Sequence, residues 1–153
     1  MIPDLIDIGN PAPWPVLPPG IHVASLTEIE DMFGQTPHRL RLYRGFCNAT
    51  KNLENAGCKT IYLDGSYTTG KDHPGDFDAC WEIAGVDPYK LDPTLLDFTN
   101  LRASQKAKYG GELFIANSTA DGNLIFLDFF QTDRHTGKQK GIIQLNLTGK
   151  TIP

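Results

Sequence analysis

The sequence has little of what marks secreted, membrane-bound or nucleic-acid-coating proteins. Its three cysteines, Cys47, Cys58 and Cys80, form an odd set without paired spacing, which favours a reducing cytosol over a disulfide framework. No apolar run approaches the roughly 18 to 20 residues that span a membrane. No basic patch precedes an apolar stretch at the N-terminus, so we expect no signal peptide. These absences predict a cytoplasmic protein without a membrane partner.

Positive charge is also scarce, since the formal net charge is −4. A protein that coats DNA or RNA through bulk charge would be basic, so we expect no bulk DNA binding. The chain has no Walker motif, nucleophile elbow, zinc-ligand set or dinucleotide fingerprint. It also has no internal repeat. The standard ATPase, hydrolase and dehydrogenase patterns are therefore missing.

The 153 residues correspond to about one domain. Residues 1–20 hold six of the eleven prolines, which predicts an extended arm rather than a helix. Trp14, Val16 and Leu17 indicate that the arm lies against the body of the protein or against a partner; a partly ordered terminus is the alternative. Residues 21–153 are predicted to form a single domain.

Local signals predict two helices followed mainly by strands. Ser25 with Glu28 forms a capping box that begins a helix ending near Phe33. Thr36-Pro37 begins a longer amphipathic helix over residues 37–56. Strands are predicted over residues 59–63, 76–83, 112–116, 124–130 and 142–147, with a helix near 94–98. This order predicts an α/β protein of the α+β type, with a mixed sheet and helices packed mainly on one face.

The most informative stretch is Gly65-Ser66, followed after nine residues by Asp76-Phe77-Asp78. On a strand, residues i and i+2 point to the same face, so the two carboxylates would lie close together. Their charges repel unless a cation lies between them. Magnesium prefers such oxygen ligands, with manganese as an alternative ion. The glycine allows a tight turn in which backbone amides approach a phosphate. An ordinary turn and a solvated Asp pair are the alternatives.

Asp128 stands inside the seven-residue apolar run 124–130. A buried charge is costly without a partner, and a metal ion would provide one. A salt bridge to a nearby Arg or Lys, or an edge position that faces water, is the alternative. Asp128 is therefore a candidate third metal ligand.

A basic stretch supplies further candidates for phosphate binding. Arg102, Lys106 and Lys108 could reach the β- and γ-phosphates of a nucleotide, and Tyr109 could stack on its base. An exposed helix face is the alternative. Lys71, in the loop between Ser66 and Asp76, could also contact a triphosphate.

One neighbour of these residues receives a smaller role, and three histidines receive none. Asp64, just before the glycine, is interpreted as a residue that orients the loop. His22, His38 and His135 have no metal-ligand spacing, and we assign them no role.

The pattern around Gly65-Ser66 and Asp76-Phe77-Asp78 resembles the signature of the DNA polymerase β-type nucleotidyltransferase superfamily. That signature is an apolar residue, Gly, Gly or Ser, a spacer, and then Asp-apolar-Asp. A third carboxylate usually follows on a later strand, and Asp128 fits that place. The whole chain also resembles a family of small, mostly bacterial proteins of unassigned function that are grouped with these enzymes. Five stretches carry this second resemblance: residues 17–22, 62–66, 74–78, 105–111 and 126–131.

The resemblance implies a palm-like fold and a magnesium-dependent enzyme that binds a nucleoside triphosphate, with ATP among the candidates. Asp76, Asp78 and Asp128 would hold the metal, and Asp128 would help to deprotonate the attacking hydroxyl. The enzyme would transfer a nucleoside monophosphate to a hydroxyl of a protein, an RNA end or a small molecule. The resemblance also implies a toxin–antitoxin or defence module, with a cognate partner protein or a homo-oligomer.

Two other functions stay open at this point. One is a catalytically silent protein that keeps the nucleotidyltransferase fold and works by binding a partner. The retention of all three carboxylates argues against it, because unneeded buried acids destabilise a fold. The other is a magnesium-dependent hydrolase that uses the same site with water as the acceptor.

Overall fold

The computed structural model describes residues 1–149, so the last four residues of the predicted domain lie outside the described part. Short 3₁₀ turns cover Ser66–Thr68 and Pro93–Leu96. The helices and strands follow in chain order as β1 (Gly20–Val23), α1 (Leu26–Phe33), α2 (Pro37–Asn55), β2 (Thr60–Asp64), β3 (Phe77–Trp81), α3 (Thr99–Tyr109), β4 (Gly111–Ile115), β5 (Thr119–Asp121), β6 (Leu124–Ile125), α4 (Phe126–Phe129) and β7 (Gly141–Asn146).

Side-chain caps fix where the first two helices begin. The Ser25 hydroxyl accepts the Glu28 amide, while the Glu28 carboxylate accepts the Ser25 amide, each at 3.2 Å. This reciprocal pair is the predicted capping box of α1. The Thr36 hydroxyl accepts the Arg39 amide at 3.1 Å, and Pro37 occupies the first turn of α2. Both predicted helices are confirmed.

The strands form a mixed five-stranded sheet in the order β1-β7-β2-β3-β4. The two outer pairs, β1–β7 and β3–β4, are parallel, whereas β2 is antiparallel to both of its neighbours. The predicted α+β fold with a mixed sheet is confirmed. The register places Asp64 opposite Asp78, and Asp78 beside Glu112. Three neighbouring strands therefore carry carboxylates at one level of the sheet.

The two faces of the sheet differ in what covers them. One face packs against α1 and α2 to form the main core. The strands contribute to this core Ile61, Leu63, Phe77, Ala79, Trp81, Leu113, Ile143 and Leu145, and the two helices contribute Ile29, Phe33, Leu42, Phe46, Ala49 and Leu53. The other face carries a smaller apolar cluster, which consists of Tyr62, Cys80, Ala116, Phe130 and Ile142 with Phe114, Phe126 and Leu127 packed against them.

The proline-rich arm lies against the body of the protein. Val16 and Leu17 are buried. The Pro15 carbonyl accepts the Gly70 amide at 2.9 Å, and the Leu17 carbonyl accepts the Gly141 amide at 2.9 Å. The arm is thus joined to the loop that follows β2 and to the beginning of β7.

The strand predicted over residues 124–130 is wrong, because only β6 is extended and α4 follows it. An apolar run of this length does not distinguish a strand from a short helix. In the helical arrangement Phe126 and Phe130, four residues apart, both pack on Phe114, with ring centroids at 4.4 and 5.3 Å. This aromatic cluster explains the helix.

Three smaller features also differ from the sequence-based expectation. The helix expected near residues 94–98 is the 3₁₀ turn Pro93–Leu96. Strands β1 and β5 were not predicted, since each is only three or four residues long. Among residues 1–149, no helix combines the length and the apolar character that crossing a bilayer requires.

Candidate functional site

The site begins at the turn after β2, where Gly65 lies directly against Asp78. Its φ of 85° is a left-handed conformation that favours glycine. A Cβ at this position would lie 2.7 Å from a carboxylate oxygen of Asp78. Gly65 is therefore required both by its backbone conformation and by the approach of Asp78. Ser66 follows at the beginning of the 3₁₀ turn.

Three carboxylates meet beside this turn. One oxygen from each of Asp76, Asp78 and Glu112 lies within 4.8 Å of the other two. Asp76 immediately precedes β3, and Asp78 is two residues further along on the same side of the chain. Glu112 reaches the group from β4, because parallel pairing puts it next to Asp78. We call these three residues the acidic triad.

The environment of the triad opposes full ionisation. Burial, together with the nearby charges of Asp64, Asp76 and Glu112, raises the pKa of Asp78 to about 8. Burial also raises the pKa of Asp76, with Glu112 adding to the effect. A divalent cation would relieve this repulsion, and carboxylate oxygens are the ligands that magnesium prefers. The triad thus fits a magnesium or manganese ion.

A buried ion pair lies next to the triad. The Lys140 ammonium donates to a carboxylate oxygen of Asp64, and the two residues are only 9% and 3% exposed. Burial raises the pKa of Asp64, whereas the charge of Lys140 opposes that rise. Lys140 precedes β7 and is 76 residues away from Asp64 in the chain. The pair fixes the end of β2, immediately before the Gly65 turn.

The triad lies in a pocket of about 730 Å³, which is within the range of sites for small molecules and cofactors. Gly65, Ser66 and Lys71 line the pocket together with the triad and the Asp64–Lys140 pair. The remaining wall includes Trp14, Leu124, Phe129, Phe130, Thr132, Asp133, Arg134 and His135. The pocket lining thus combines charged residues with the aromatic rings of Trp14, Phe129, Phe130 and His135.

Arg39 holds the loop between Ser66 and the triad. Its buried guanidinium donates to the carbonyls of Tyr67 at 2.6 Å, Thr69 at 2.9 Å and Lys71 at 2.6 Å. A further bond to the Phe33 carbonyl, at 3.2 Å, joins the same group to α1. Four backbone oxygens thus converge on one cation, which fixes the path of the loop and the position of Lys71.

The structure brings together six of the residues to which the sequence assigned a role: Asp64, Gly65, Ser66, Lys71, Asp76 and Asp78. It does not bring Asp128 to them. Asp128 is exposed on α4, because the run that contains it is helical and Phe126, Leu127 and Phe130 are the residues that pack inward. Within the described residues the metal-ligand group contains Glu112 instead. The signal for Glu112 was an acid at the beginning of a predicted strand, directly after Gly110-Gly111.

The first half of the predicted phosphate-binding stretch has other partners. The Arg102 guanidinium lies 3.9 Å from the ring centroid of Phe114 and donates to the Leu113 carbonyl at 3.2 Å. Lys106 pairs with Glu112 at 3.2 Å, so it lies beside the triad. Neither residue lines the pocket that the described part of the chain forms.

The second half is engaged at Asp92. The Lys108 ammonium lies 2.6 Å from the Asp92 carboxylate, and the Tyr109 hydroxyl donates to the same carboxylate. Tyr109 is buried in the main core, so its ring is not available for stacking on a base. Both side chains hold the 3₁₀ turn before α3 and, in the described structure, lie outside the pocket.

Most of the remaining wall of the pocket, which includes Trp14 and His135, was not predicted from the sequence. Trp14 was placed only in an arm, and His135 was given no role, yet both line the pocket. Their positions depend on how the arm and the loop before β7 fold over the sheet. No local spacing carries that information.

Neither the curated proteins nor the solved structures contain a match to this chain. A family model matches residues 12–146 of the 153, a span that includes Trp14, the Gly65 turn, the triad and Lys140. The chain belongs to a family of unknown function, DUF6932.

Proposed function

We propose that the protein is a magnesium-dependent nucleotidyltransferase that moves a nucleoside monophosphate from a nucleoside triphosphate to a hydroxyl group. The observation that carries this proposal is the acidic triad, which lies in a pocket directly beside the Gly65-Ser66 turn. The spacing between the turn and Asp76-Phe77-Asp78 supports it, because it resembles the signature of polymerase β-type enzymes.

The metal would be held by Asp76, Asp78 and Glu112. Magnesium bound there would reduce the cost of negative charge on the α-phosphate and align the reacting oxygens. Glu112 replaces Asp128 in this assignment, because the structure keeps Asp128 exposed on α4. The burial of Asp78 helps, since charge interactions are stronger where water is excluded.

The phosphates would lie between the Gly65-Ser66 turn and Lys71. Gly65 has no side chain, so a phosphate can approach the backbone there closely. The Ser66 hydroxyl can donate to a phosphate oxygen, and the Lys71 ammonium supplies a positive charge in the same pocket. These three residues would therefore bind the nucleotide without Arg102, Lys106, Lys108 and Tyr109, to which the sequence had also assigned nucleotide binding.

The transfer step involves one bond formed and one broken. The acceptor hydroxyl oxygen forms a bond to the α-phosphorus, and the bond from that phosphorus to the oxygen bridging to the β-phosphate breaks. Pyrophosphate leaves with the electron pair of the broken bond. The hydroxyl proton passes to the carboxylate of Glu112, in the role that the superfamily resemblance had implied for Asp128.

The acceptor is a hydroxyl of a protein, an RNA end or a small molecule. A toxin–antitoxin or defence setting in the cytoplasm, with a cognate partner protein or a homo-oligomer, belongs to the same proposal. It is supported by the superfamily resemblance rather than by a feature of the pocket.

Label transfer tests this function. The full chain is incubated with each α-labelled nucleoside triphosphate, magnesium and a host lysate, beside an Asp76→Asn, Asp78→Asn double variant. Label should move onto a macromolecule or a small acceptor with the unaltered chain only. Asp128→Asn is the matched control, and it should transfer normally because Asp128 is exposed on α4.

Other outcomes separate the alternatives. Release of free nucleoside monophosphate without transfer would favour the magnesium-dependent hydrolase. Magnesium-dependent nucleotide binding without turnover would favour the catalytically silent partner protein. Absence of both label and magnesium-dependent nucleotide binding would overturn the proposed enzyme.

A further inference from the structure

The two tryptophans of the chain have opposite environments. Trp81, on β3, is 0% exposed in the main core. Trp14, in the proline-rich arm, is only half-buried and lines the pocket that contains the acidic triad. A large ring contributes most to stability when it is fully buried. Packing alone therefore does not explain why a tryptophan stands at this edge of the pocket.

The chain directly after Trp14 is held in place by contacts with the rest of the protein. Next to it, the Pro15 carbonyl accepts the Gly70 amide at 2.9 Å, and a Cβ on Gly70 would lie 2.7 Å from the Pro15 ring. Val16 forms two backbone bonds with Ile6, at 2.7 and 2.9 Å, which close the arm into a hairpin-like loop. The ring is thus presented by a fixed backbone, and little ordering is required when a ligand binds.

The loop before β7 supports the ring from another direction. His135 packs edge-on against the indole, with ring centroids 5.6 Å apart and an interplanar angle of 90°. The Lys138 ammonium donates to the Ile8 carbonyl at 2.7 Å, so the loop that carries His135 is joined to the arm. An edge contact of this kind fixes the orientation of the indole plane.

Three chemical groups follow one another across the pocket. The Lys71 ammonium lies over one face of the Trp14 ring, 5.0 Å from the ring centroid, so a base would have to stack on the opposite face. The same ammonium is close enough to Asp76 to favour its negative charge. The order is therefore aromatic ring, cation and carboxylate triad. A nucleoside triphosphate bound to a metal has its base, its phosphates and its metal in the same order.

We infer that Trp14 is the stacking platform for the base of the nucleoside triphosphate, with Lys71 placed at the phosphates between the platform and the triad. This inference rests on the proposed function and adds the part of the substrate that the arm recognises. Stacking on an aromatic ring accepts every base, because each base has a π-face. The platform thus contributes affinity for nucleotides as a class, and the proline-rich arm is part of the binding site.

Calorimetric titration of the full chain tests this platform. The probes are α,β-methylene analogues of ATP, GTP, CTP and UTP, which resist transfer, and inorganic tripolyphosphate, which lacks a base; all are added with magnesium. Trp14→Leu removes the aromatic ring and keeps an apolar side chain, and Trp14→Phe restores an aromatic ring. Tyr89→Leu is the matched control, because Tyr89 is an aromatic residue that is 97% exposed and outside the pocket lining that the described residues form.

The dissociation constants of the analogues should rise about tenfold in Trp14→Leu, because the variant loses the stacking contact with the base. Trp14→Phe should recover most of that loss. The dissociation constant of tripolyphosphate should stay within about twofold of the unaltered value in every variant. The analogues should also change the tryptophan fluorescence of the unaltered chain but not that of Trp14→Phe, because Trp81 is buried away from the pocket.

Other results would overturn the platform. Unchanged analogue binding in Trp14→Leu would exclude a stacking role. Equal weakening of analogues and tripolyphosphate would mean that Trp14 acts through Lys71 or through the fold. If the analogues bind and require Trp14 but natural triphosphates are never transferred, the platform stands and nucleotidyl transfer fails. If the unaltered chain binds none of the probes, both proposals fail.

Discussion

The two faces of the sheet use the same strands for different purposes. Along β3, Phe77, Ala79 and Trp81 point into the main core and are 0% exposed. Asp78, between them, points to the other face and joins the acidic triad. The first face gains free energy from apolar burial, whereas the second holds like charges close together at a cost. Because successive side chains of a strand point to opposite faces, the residues that stabilise the fold lie on one face and the residues of the candidate site lie on the other.

A substitution on the helix-covered face should give the largest loss of stability. Phe46 is buried on α2 and packs edge-on against Phe77, with ring centroids 5.5 Å apart. Phe46→Ala should lower the free energy of unfolding by about 3–5 kcal/mol, because it leaves a cavity in the core. The milder Phe46→Leu should cost about 1 kcal/mol and keep the fold. Denaturant unfolding followed by circular dichroism measures both changes.

The same experiment tests the separation of the two faces. Manganese affinity of folded Phe46→Leu, measured by electron paramagnetic resonance, should match that of the unaltered chain. A large change in manganese affinity would show that the core and the triad are coupled, so the two faces of the sheet would not have separate purposes.

The buried Asp64–Lys140 ion pair, on the face that carries the acidic triad, should give the second-largest effect on stability. Lys140→Met leaves the Asp64 carboxylate buried without its cation, which should cost about 3 kcal/mol. Because the folded protein then favours protonated Asp64, the loss should increase as the pH rises. The double variant Asp64→Asn, Lys140→Met should recover most of the stability. Unfolding curves at pH 5 and pH 8 measure these differences, and an unchanged stability in Lys140→Met would contradict the role of the pair.

Asp78→Asn should have the opposite sign to the core substitutions. The folded pKa of Asp78, raised by burial to about 8, is well above the usual value near 4 of an unfolded Asp. The folded chain binds the Asp78 proton more tightly than the unfolded chain, so protonation stabilises the fold. This contribution is complete below about pH 4 and is lost as the pH rises towards 8. In a metal chelator at pH 8, Asp78→Asn should therefore be more stable than the unaltered chain, by on the order of 2 kcal/mol.

Two comparisons sharpen this result. The advantage of Asp78→Asn should shrink at pH 5, where the unaltered Asp78 is protonated in the fold. Millimolar magnesium should raise the melting temperature of the unaltered chain but not that of the variant. A variant that is less stable than the unaltered chain at pH 8 would show that the carboxylate is not under electrostatic strain.

Sequence signals were sufficient where the cause is local. The caps at Ser25 and Thr36 and the i, i+2 pair Asp76 and Asp78 depend on neighbouring residues, so spacing alone predicts them. The mixed sheet follows from the same strand patterns. The turn at Gly65 could also be predicted from the sequence. Its left-handed backbone conformation and its close contact with Asp78 both require a glycine.

The rest of the site depends on contacts between distant parts of the chain. Glu112 joins the triad through the register of β4 on β3, and Lys140 meets Asp64 across 76 residues. Trp14 reaches the pocket only because the arm folds back on the body. Asp128 was the reverse case: its surrounding apolar pattern indicated a buried strand, but an aromatic cluster made that segment helical.

The last prediction concerns metal affinity rather than stability, and it separates Glu112 from Asp128 as the third carboxylate. Glu112→Gln removes one charged ligand from the triad and should raise the dissociation constant for manganese about 10- to 100-fold. Asp128→Asn changes an exposed acid on α4, so the dissociation constant should stay within about twofold of the unaltered value. Both substitutions remove one negative charge, so the two variants have the same net charge. Manganese titration followed by electron paramagnetic resonance distinguishes these cases. A larger loss of manganese affinity in Asp128→Asn than in Glu112→Gln would support Asp128 as the third ligand, as expected from the sequence. It would also show that the metal does not bind to the carboxylates that the β3–β4 register brings together.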